Sequence, residues 1–318
     1  MQLESTTNLL KDLKKKKKIT IANDQLAALQ LKRVLAFNLI PLIAFIVGII
    51  YLWLGWVNTI DIVLLVTMYF LTVVMGITVG YHRLLSHKAF QTNTTIRAMF
   101  AILGSIAGQG PPIYWVANHR RHHEFCDKPG DPHSPHANAT GELRGFAGLW
   151  HAHFGWLFDG EITNSLVFAK DLIRDPLINY INRWYIVWLI LSLIIPGIIE
   201  GVLTRTWTGL ISGFLWGGLI RLFFSIQSGY IINSMTHSFG THPFDSGDCS
   251  TNNIWLSIPT GGDAWHNNHH AFPKSAKFGL KWWQIDLGYW AILSLELVGL
   301  VWNVKVTTPE MMEAKKVA

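Results

Sequence analysis

The sequence predicts an all-α integral membrane protein: four transmembrane helices topped by a histidine-rich helical cap on the cytosolic side. Three observations predict it. Hydrophobic residues make up 50% of the 318 and charged residues only 14%, where a water-soluble domain carries about 25% charge. Four apolar runs are long enough to cross about 30 Å of hydrocarbon. More than half of the 14 histidines fall in three clusters, His82-x4-His87, His119-x2-His122-His123 and His266-x2-His269-His270.

Residues 1–33 read as a basic N-terminal tail. Its run from Lys14 to Lys18 fixes topology or touches anionic lipid. No nucleic-acid recognition motif accompanies the run, so nucleic acid is not an expected partner. The tail is polar up to the first apolar run and shows no cleavable signal peptide. Residues 34–80 form a first transmembrane hairpin, Val34 to Val57 and Ile60 to Gly80, joined at Asn58-Thr59. Trp56 and Tyr81 flank it at interface positions. Residues 81–183 form a cytosolic cap with the first two clusters. Inside it, Ile96 to Ala117 is apolar but broken by Gly104, Gly108, Gly110, Pro111 and Pro112, so it reads as interfacial or re-entrant. Residues 184–232 form a second hairpin, Trp184 to Leu203 and Trp207 to Ile232. Residues 233–318 return to the cap with the third cluster, and their apolar stretch Tyr289 to Val301 fits more than one assignment.

Nearly every Lys and Arg lies in the tail, the 81–183 segment or the C-terminal segment; the outer links hold only Arg205. The positive-inside rule therefore puts both termini in the cytosol, in the inner membrane if the cell is bacterial, and all three clusters on one face. Arg221 lies within the fourth span and is expected to face a cavity or a polar substrate group. Cys126 and Cys249 are too few for a disulfide framework and read as unpaired small side chains.

A single histidine is usually a solvated or core side chain, but three clusters on one membrane face point to metal. Imidazole suits transition metals, iron included. A zinc site needs three or four protein ligands, so these clusters are too many for one ion and about right for two. His119 and His122 are one helical turn apart, as are His266 and His269, which puts each pair on one face. His123 and His270 then point elsewhere, toward a second ion. His82 and His87, five apart, share a side only if the helix bends or ends there. Soluble di-iron bundles use Glu-x-x-His pairs; this chain has none, so the site is histidine-dominated.

The segments Gly80-Tyr-His-Arg-Leu-Leu-Ser-His87, Asn118-His-Arg-Arg-His-His123 and Trp265-His-Asn-Asn-His-His-Ala-Phe-Pro273 closely resemble the three boxes of membrane fatty-acyl desaturases, most of all the stearoyl-type (delta-9) branch. Asn233-Ser-Met-Thr-His237 also matches that branch. The resemblance implies nine histidine ligands, His82, His87, His119, His122, His123, His237, His266, His269 and His270, with Asn233 reaching metal through water. It implies two iron ions, O2 as co-substrate, a long-chain acyl substrate and a separate electron donor of ferredoxin or cytochrome b5 type. Asp263 stands where the family commonly has an acid and would orient a ligand imidazole. Trp115, Trp150 and Trp265 would wall a substrate tunnel or pack at the interface; Thr67, Phe70 and Val74 would close its far end or pack against other helices. His133, His136, His151, His153 and His242 match no ligand pattern and read as hydrogen-bonded or exposed imidazoles.

The expected reaction is insertion of a cis double bond near carbon nine of a long saturated acyl chain. Animal acyl-CoA enzymes carry an Arg-Asp pair before the second box and a basic pair after Gly-Trp-Leu. Here those places hold Ala117-Asn118 and Gly160-Glu161, with Asp159 adjacent. This leaves the carrier open between CoA, a membrane lipid and a carrier protein, and predicts that Asp159 and Glu161 repel CoA. Rival outcomes are a hydroxylase or alkane-type monooxygenase on the same site, and a non-catalytic metal-binding membrane protein. The last needs acidic or histidine residues at mid-span, and Asp61 lies near an edge. No Gly-x-Ser-x-Gly elbow marks a lipid hydrolase.

Overall fold

A computed structural model describes residues 19–138 and 141–317. Lys14 to Lys18 lie outside the described residues. Among the described residues, four helices are long and apolar enough to cross a membrane. The first, α1, runs Asp24–Trp53. It starts ten residues before Val34, because the Asn23 side chain caps it by accepting from the Leu26 amide at 2.9 Å and nothing in Asp24 to Arg33 breaks a helix. The strand Thr20–Ile21 just ahead of it pairs antiparallel with Ile162–Thr163, which ties α1 to the cap.

The second span, α2, covers Thr59–Ser86. Asn58 is its N-cap, in a reciprocal capping box with Asp61, so this residue starts a helix as well as turning the chain. From Phe70 to Ser86 the helix widens to i→i+5 hydrogen bonding, a winding that occurs mostly at functional sites. The widened helix continues past Gly80 and carries His82 within it. Tyr81 is fully buried, not interfacial: its hydroxyl meets Ser105 Oγ at 2.9 Å.

The apolar segment after α2 forms two helices, α3 (Thr94–Ser105) and α4 (Pro112–Phe125). The break between them falls at the glycines and prolines that predict it; Gly108 and Gly110 have φ of +79° and +113°. The helix α3 packs against α2 at backbone contact: a Cβ on Gly76 would lie 2.4 Å from the Leu103 carbonyl. The cap continues through α5 (Gly145–His153) and α6 (Pro176–Arg183).

The second hairpin is α7 (Tyr185–Thr204) and α8 (Trp207–Met235), linked by Arg205 in a left-handed conformation and capped by Thr206. Arg221 in α8 is turned into the protein. It is fully buried and donates to the Ile106 carbonyl at 2.7 Å and to Ser192 Oγ at 3.0 Å. It thereby satisfies a carbonyl freed by the break after α3 and fastens that break to α7. Asp61 is also buried, with Ser212 Oγ donating to it. Beside it lies a second acid inside the spans, Glu200, which accepts from Asn58 Nδ2 at 2.9 Å. These groups join the two hairpins at the ends remote from the histidine clusters.

The third cluster forms the short helix α9 (His266–Ala271). The ambiguous apolar stretch is a helix, α10 (Leu287–Leu297), which packs on α2.

Candidate metal centre

The widened end of α2 answers the spacing problem of the first cluster. With hydrogen bonds running i→i+5, His82 and His87 fall on one side, with ring centroids 5.1 Å apart; the His87 amide donates to the His82 carbonyl. Opposite them, α4 presents His119 and His123, and α9 presents His269. The ring nitrogens converge: His82 Nε2 to His269 Nε2 at 2.9 Å, His87 Nε2 to His119 Nε2 at 2.7 Å, and His269 Nε2 to His123 Nε2 at 2.9 Å. These five form one group whose ligand atoms lie close enough to share an ion.

A second group lies beside it. His122, His237 and His270 gather with Cys126, and His266 joins through its Nε2, 3.0 Å from His237 Nε2. The assignment within each box therefore differs from the i, i+3 expectation. His119 pairs with His123, and His266 with His270, while His122 and His269 cross to the other group. An offset of four residues leaves about 40° between side chains and an offset of three about 60° in the opposite sense, so helices facing two adjacent groups sort their histidines by i, i+4.

The donor set fits metal. Burial, then repulsion among neighbouring imidazoles, holds His87, His119, His123, His266 and His269 well below the ordinary histidine value of 6.5. They are neutral, with lone pairs free. Facing nitrogens at hydrogen-bond distance cannot all be satisfied by each other's protons, and the buried His270 Nε2 has no protein partner. A cation between them satisfies all of these atoms.

Behind the nitrogens stand carboxylates. Asp263 Oδ2 lies 3.2 Å from His82 Nδ1 and also accepts from Thr78 Oγ1 at 3.0 Å. Three further acids were not anticipated from sequence: Asp131 on His122 (2.9 Å), Asp127 on His237 (2.9 Å) and Asp248 on His270 (2.7 Å). Burial alone would raise Asp131, but the charge and hydrogen bond of His122 outweigh it and bring the carboxyl down to about 2. Acids in the loops beside a histidine box are the sequence signal that could have found them. Cys126 Sγ sits 3.7 Å from His122 Nε2.

The other histidines are engaged elsewhere. His136 Nε2 donates to the His237 carbonyl at 2.6 Å, His151 bridges Ser134 and Asp159, His153 meets Ser234 and Gln227, and His242 meets the Ser250 carbonyl. His133 packs 4.6 Å from the His122 ring, closer to the site than its sequence context suggests.

A cavity of about 380 Å³ reaches the centre, with His82, His119, His122, His266 and Asn233 on its wall. Trp115 lines it, stacked 5.0 Å from His119 and fixed by its Nε1–H donating to Gln109 Oε1 at 3.1 Å. The other anticipated tunnel residues stand elsewhere. Trp150 is exposed and packs on Phe154; Trp265 is buried, donating to the Ile285 carbonyl. Thr67 and Phe70 are exposed on α2, and Val74 is buried against Gly261. The α2 wall of the cavity is instead Val73, Ile77 and Thr78, because the i→i+5 winding rotates the inward face relative to an ordinary helix. Leu26, Gln30, Arg33 and Asn38 of α1 line the same cavity, as do Trp156 and Leu157.

Asp159 and Glu161 are not free charges. Glu161 Oε2 accepts from Arg121 at 3.0 Å, and Asp159 pairs with His151 at 3.0 Å.

Comparison with known proteins agrees with this geometry. A fatty acid desaturase family profile matches residues 55–297. The chain is 49% identical to hex-5-enoyl-[acyl-carrier protein] acetylenase of Moorena producens (strain JHB), over 100% of this chain and 99% of that one. It is 35% identical to sn-1 stearoyl-lipid 9-desaturase of Anabaena variabilis, over 75% and 82% of the two chains. It is 38% identical to delta-9 acyl-lipid desaturase 1 of Arabidopsis thaliana, over 73% and 71%. With its three histidine boxes, its membrane helices and a profile match over most of its length, the chain belongs to the fatty acid desaturase family of oxidoreductases.

Proposed function

We propose that this protein is an oxygen-dependent acyl desaturase with two iron ions, one in each histidine group, acting on a chain threaded into the cavity from the side of α1. One observation carries the reading: a single cavity is lined by residues of α1, by apolar residues of α2 and by histidines of both groups. His82, His87, His119, His123 and His269 would hold one ion. His122, His237, His266 and His270 would hold the other, with Asn233 acting through water. Bound iron supplies the activation of O2. Two hydrogens leave neighbouring carbons of the chain. O2 takes two electrons from a separate donor protein of ferredoxin or cytochrome b5 type, and with two further protons two waters form.

The protein's own residues set where this happens. Val73 and Ile77 form an apolar wall that excludes water and holds the chain against the histidines. Trp115, braced by Gln109, fixes the floor beside His119 and limits which carbons come near it. Asp263 keeps the His82 Nδ1 proton in place, so that its Nε2 stays a ligand.

The carrier favoured is the pantetheine arm of a carrier protein. The acetylenase relative, named for an acyl-carrier-protein substrate, matches over the whole chain, and Gln30, Arg33 and Asn38 offer polar partners to such an arm. A long saturated chain on lipid or CoA, desaturated in cis near carbon nine, is the second reading; the two delta-9 relatives favour it. Presenting equal acyl chains on carrier protein, CoA and lipid with one electron supply, then reading products by mass spectrometry, tests both. Loss of two hydrogens marks a desaturase and gain of one oxygen a hydroxylase. No turnover on carrier protein refutes the favoured carrier.

Both termini and the cap are proposed to be cytosolic, in the inner membrane of a bacterial host, because the Lys and Arg excess lies there. An impermeant thiol reagent added to intact cells should miss the exposed native Cys249 and label Thr206→Cys. Labelling of Cys249 from outside would invert the topology.

A further inference from the structure

The two histidine groups differ in what stands behind them. In the five-histidine group, among the described residues, only His82 meets a carboxylate. That carboxylate, Asp263, is partly neutralised by Arg83 Nη1 at 3.3 Å. In the other group three of four imidazoles each have an acid of their own: Asp131, Asp127 and Asp248. All three acids are nearly buried, with side-chain exposures of 0%, 4% and 7%. No Lys or Arg pairs with them among the described residues. Neutral donors hold them instead: the Asp127 and His133 amides on Asp131, Ser134 and the Cys249 amide on Asp127, and Ser246 and Ser250 on Asp248.

A carboxylate on Nδ1 fixes the tautomer that leaves Nε2 free for metal and raises the basicity of that nitrogen. Uncompensated negative charge near a partly desolvated cation adds attraction that a fifth neutral imidazole cannot match. We infer that the two metal positions are unequal by construction: the His122, His237, His266 and His270 position takes the first divalent ion and keeps it after the five-histidine position has been emptied. Asp127, Asp131 and Asp248 are the positioning residues responsible. The inference rests on the dinuclear reading proposed above.

The test uses full-length protein in detergent, stripped of metal and titrated with zinc against a chelating dye, with bound metal counted by mass spectrometry. His87→Ala, combined with His119→Ala and His123→Ala so that fewer than three imidazoles remain, leaves only the carboxylate-backed position, and His266→Ala, combined with His270→Ala, leaves only the five-histidine position. The ion remaining in the first variant should bind about 10–100-fold more tightly than the one in the second. Adding Asp131→Asn or Asp248→Asn to the first variant should weaken that ion by about 10–100-fold, while adding Asp263→Asn should leave it unchanged. Should either histidine variant fail to fold, the wild-type protein answers through chelator release. Two ions should leave in two phases, with Asp131→Asn speeding the slower one. Release of both ions in a single phase, or an Asp131→Asn effect confined to the faster one, overturns the inequality while the dinuclear reading stands. Wild-type protein that binds at most one ion overturns both.

Discussion

Replacing Arg83 by Met tests whether charge fastens the first histidine box to the third. Arg83 is fully buried. Its guanidinium donates to Asp286 Oδ1 at 2.8 Å, Asp263 Oδ1 at 3.3 Å and the Ala276 carbonyl at 2.9 Å, and lies 3.8 Å over the Phe278 ring. Met keeps much of the length and packing but removes the charge and every donor. Two buried carboxylates lose their cation at once. Removing one partner of a buried pair costs about 3–5 kcal/mol, a large share of the about 5–15 kcal/mol that holds a typical domain. The damage is local, because Asp263 also orients His82. Thermal unfolding in detergent, followed by tryptophan fluorescence, should show a midpoint lowered by several degrees. Metal counting should show loss from the five-histidine position before the other. Arg83→Lys keeps the charge but cannot reach both acids and should fall between. If Arg83→Met unfolds at the wild-type midpoint with its full metal content, the ion-pair argument fails.

Three further outcomes are expected. Gly76→Val places methyl groups where a single Cβ already lies 2.4 Å from the Leu103 carbonyl, which costs at least about 1–3 kcal/mol; by pushing α3 and the following α4 away from α2 it should cut the rate about 100-fold, and a normal rate would show that the helices adjust without moving the second box. Glu161→Lys, which the sequence alone suggests would help acyl-CoA, sets a cation against the nearly buried Arg121 and should lower stability by roughly 1–3 kcal/mol and slow turnover on every carrier; faster use of acyl-CoA would restore the repulsion reading. In metal-free protein, His119, His123, His266 and His269 are held below their ordinary value by burial, so the unfolded chain takes up protons that the folded one refuses. Stability is then whole above about pH 6.5 and drains as pH falls below it; a thermal midpoint unchanged between about pH 7 and about pH 5 would refute the assignment of neutral imidazoles.

The sequence by itself determined the helical membrane class, the four spans, the broken segment after Gly104 and the family. All of these rest on local signals: apolar length, glycine and proline at a break, and histidines at short spacing. It did not determine the start of α1, because a polar first turn and an asparagine cap carry no hydropathy signal. The winding of α2 was equally hidden. Widening to i→i+5 hydrogen bonding depends on what packs against the helix, and it decided both how His82 and His87 come to one side and why Val73 and Ile77, rather than Thr67, Phe70 or Val74, face the cavity. Tertiary structure also sorted the histidines into two groups, since the sorting depends on where α2, α4 and α9 meet. It assigned Asp127, Asp131 and Asp248 to imidazoles up to 110 positions away in the chain. And it turned Arg221, Asp159 and Glu161 from apparent ligand-facing charges into partners of buried groups, because a charge in a sequence has no address until the fold supplies its counterpart.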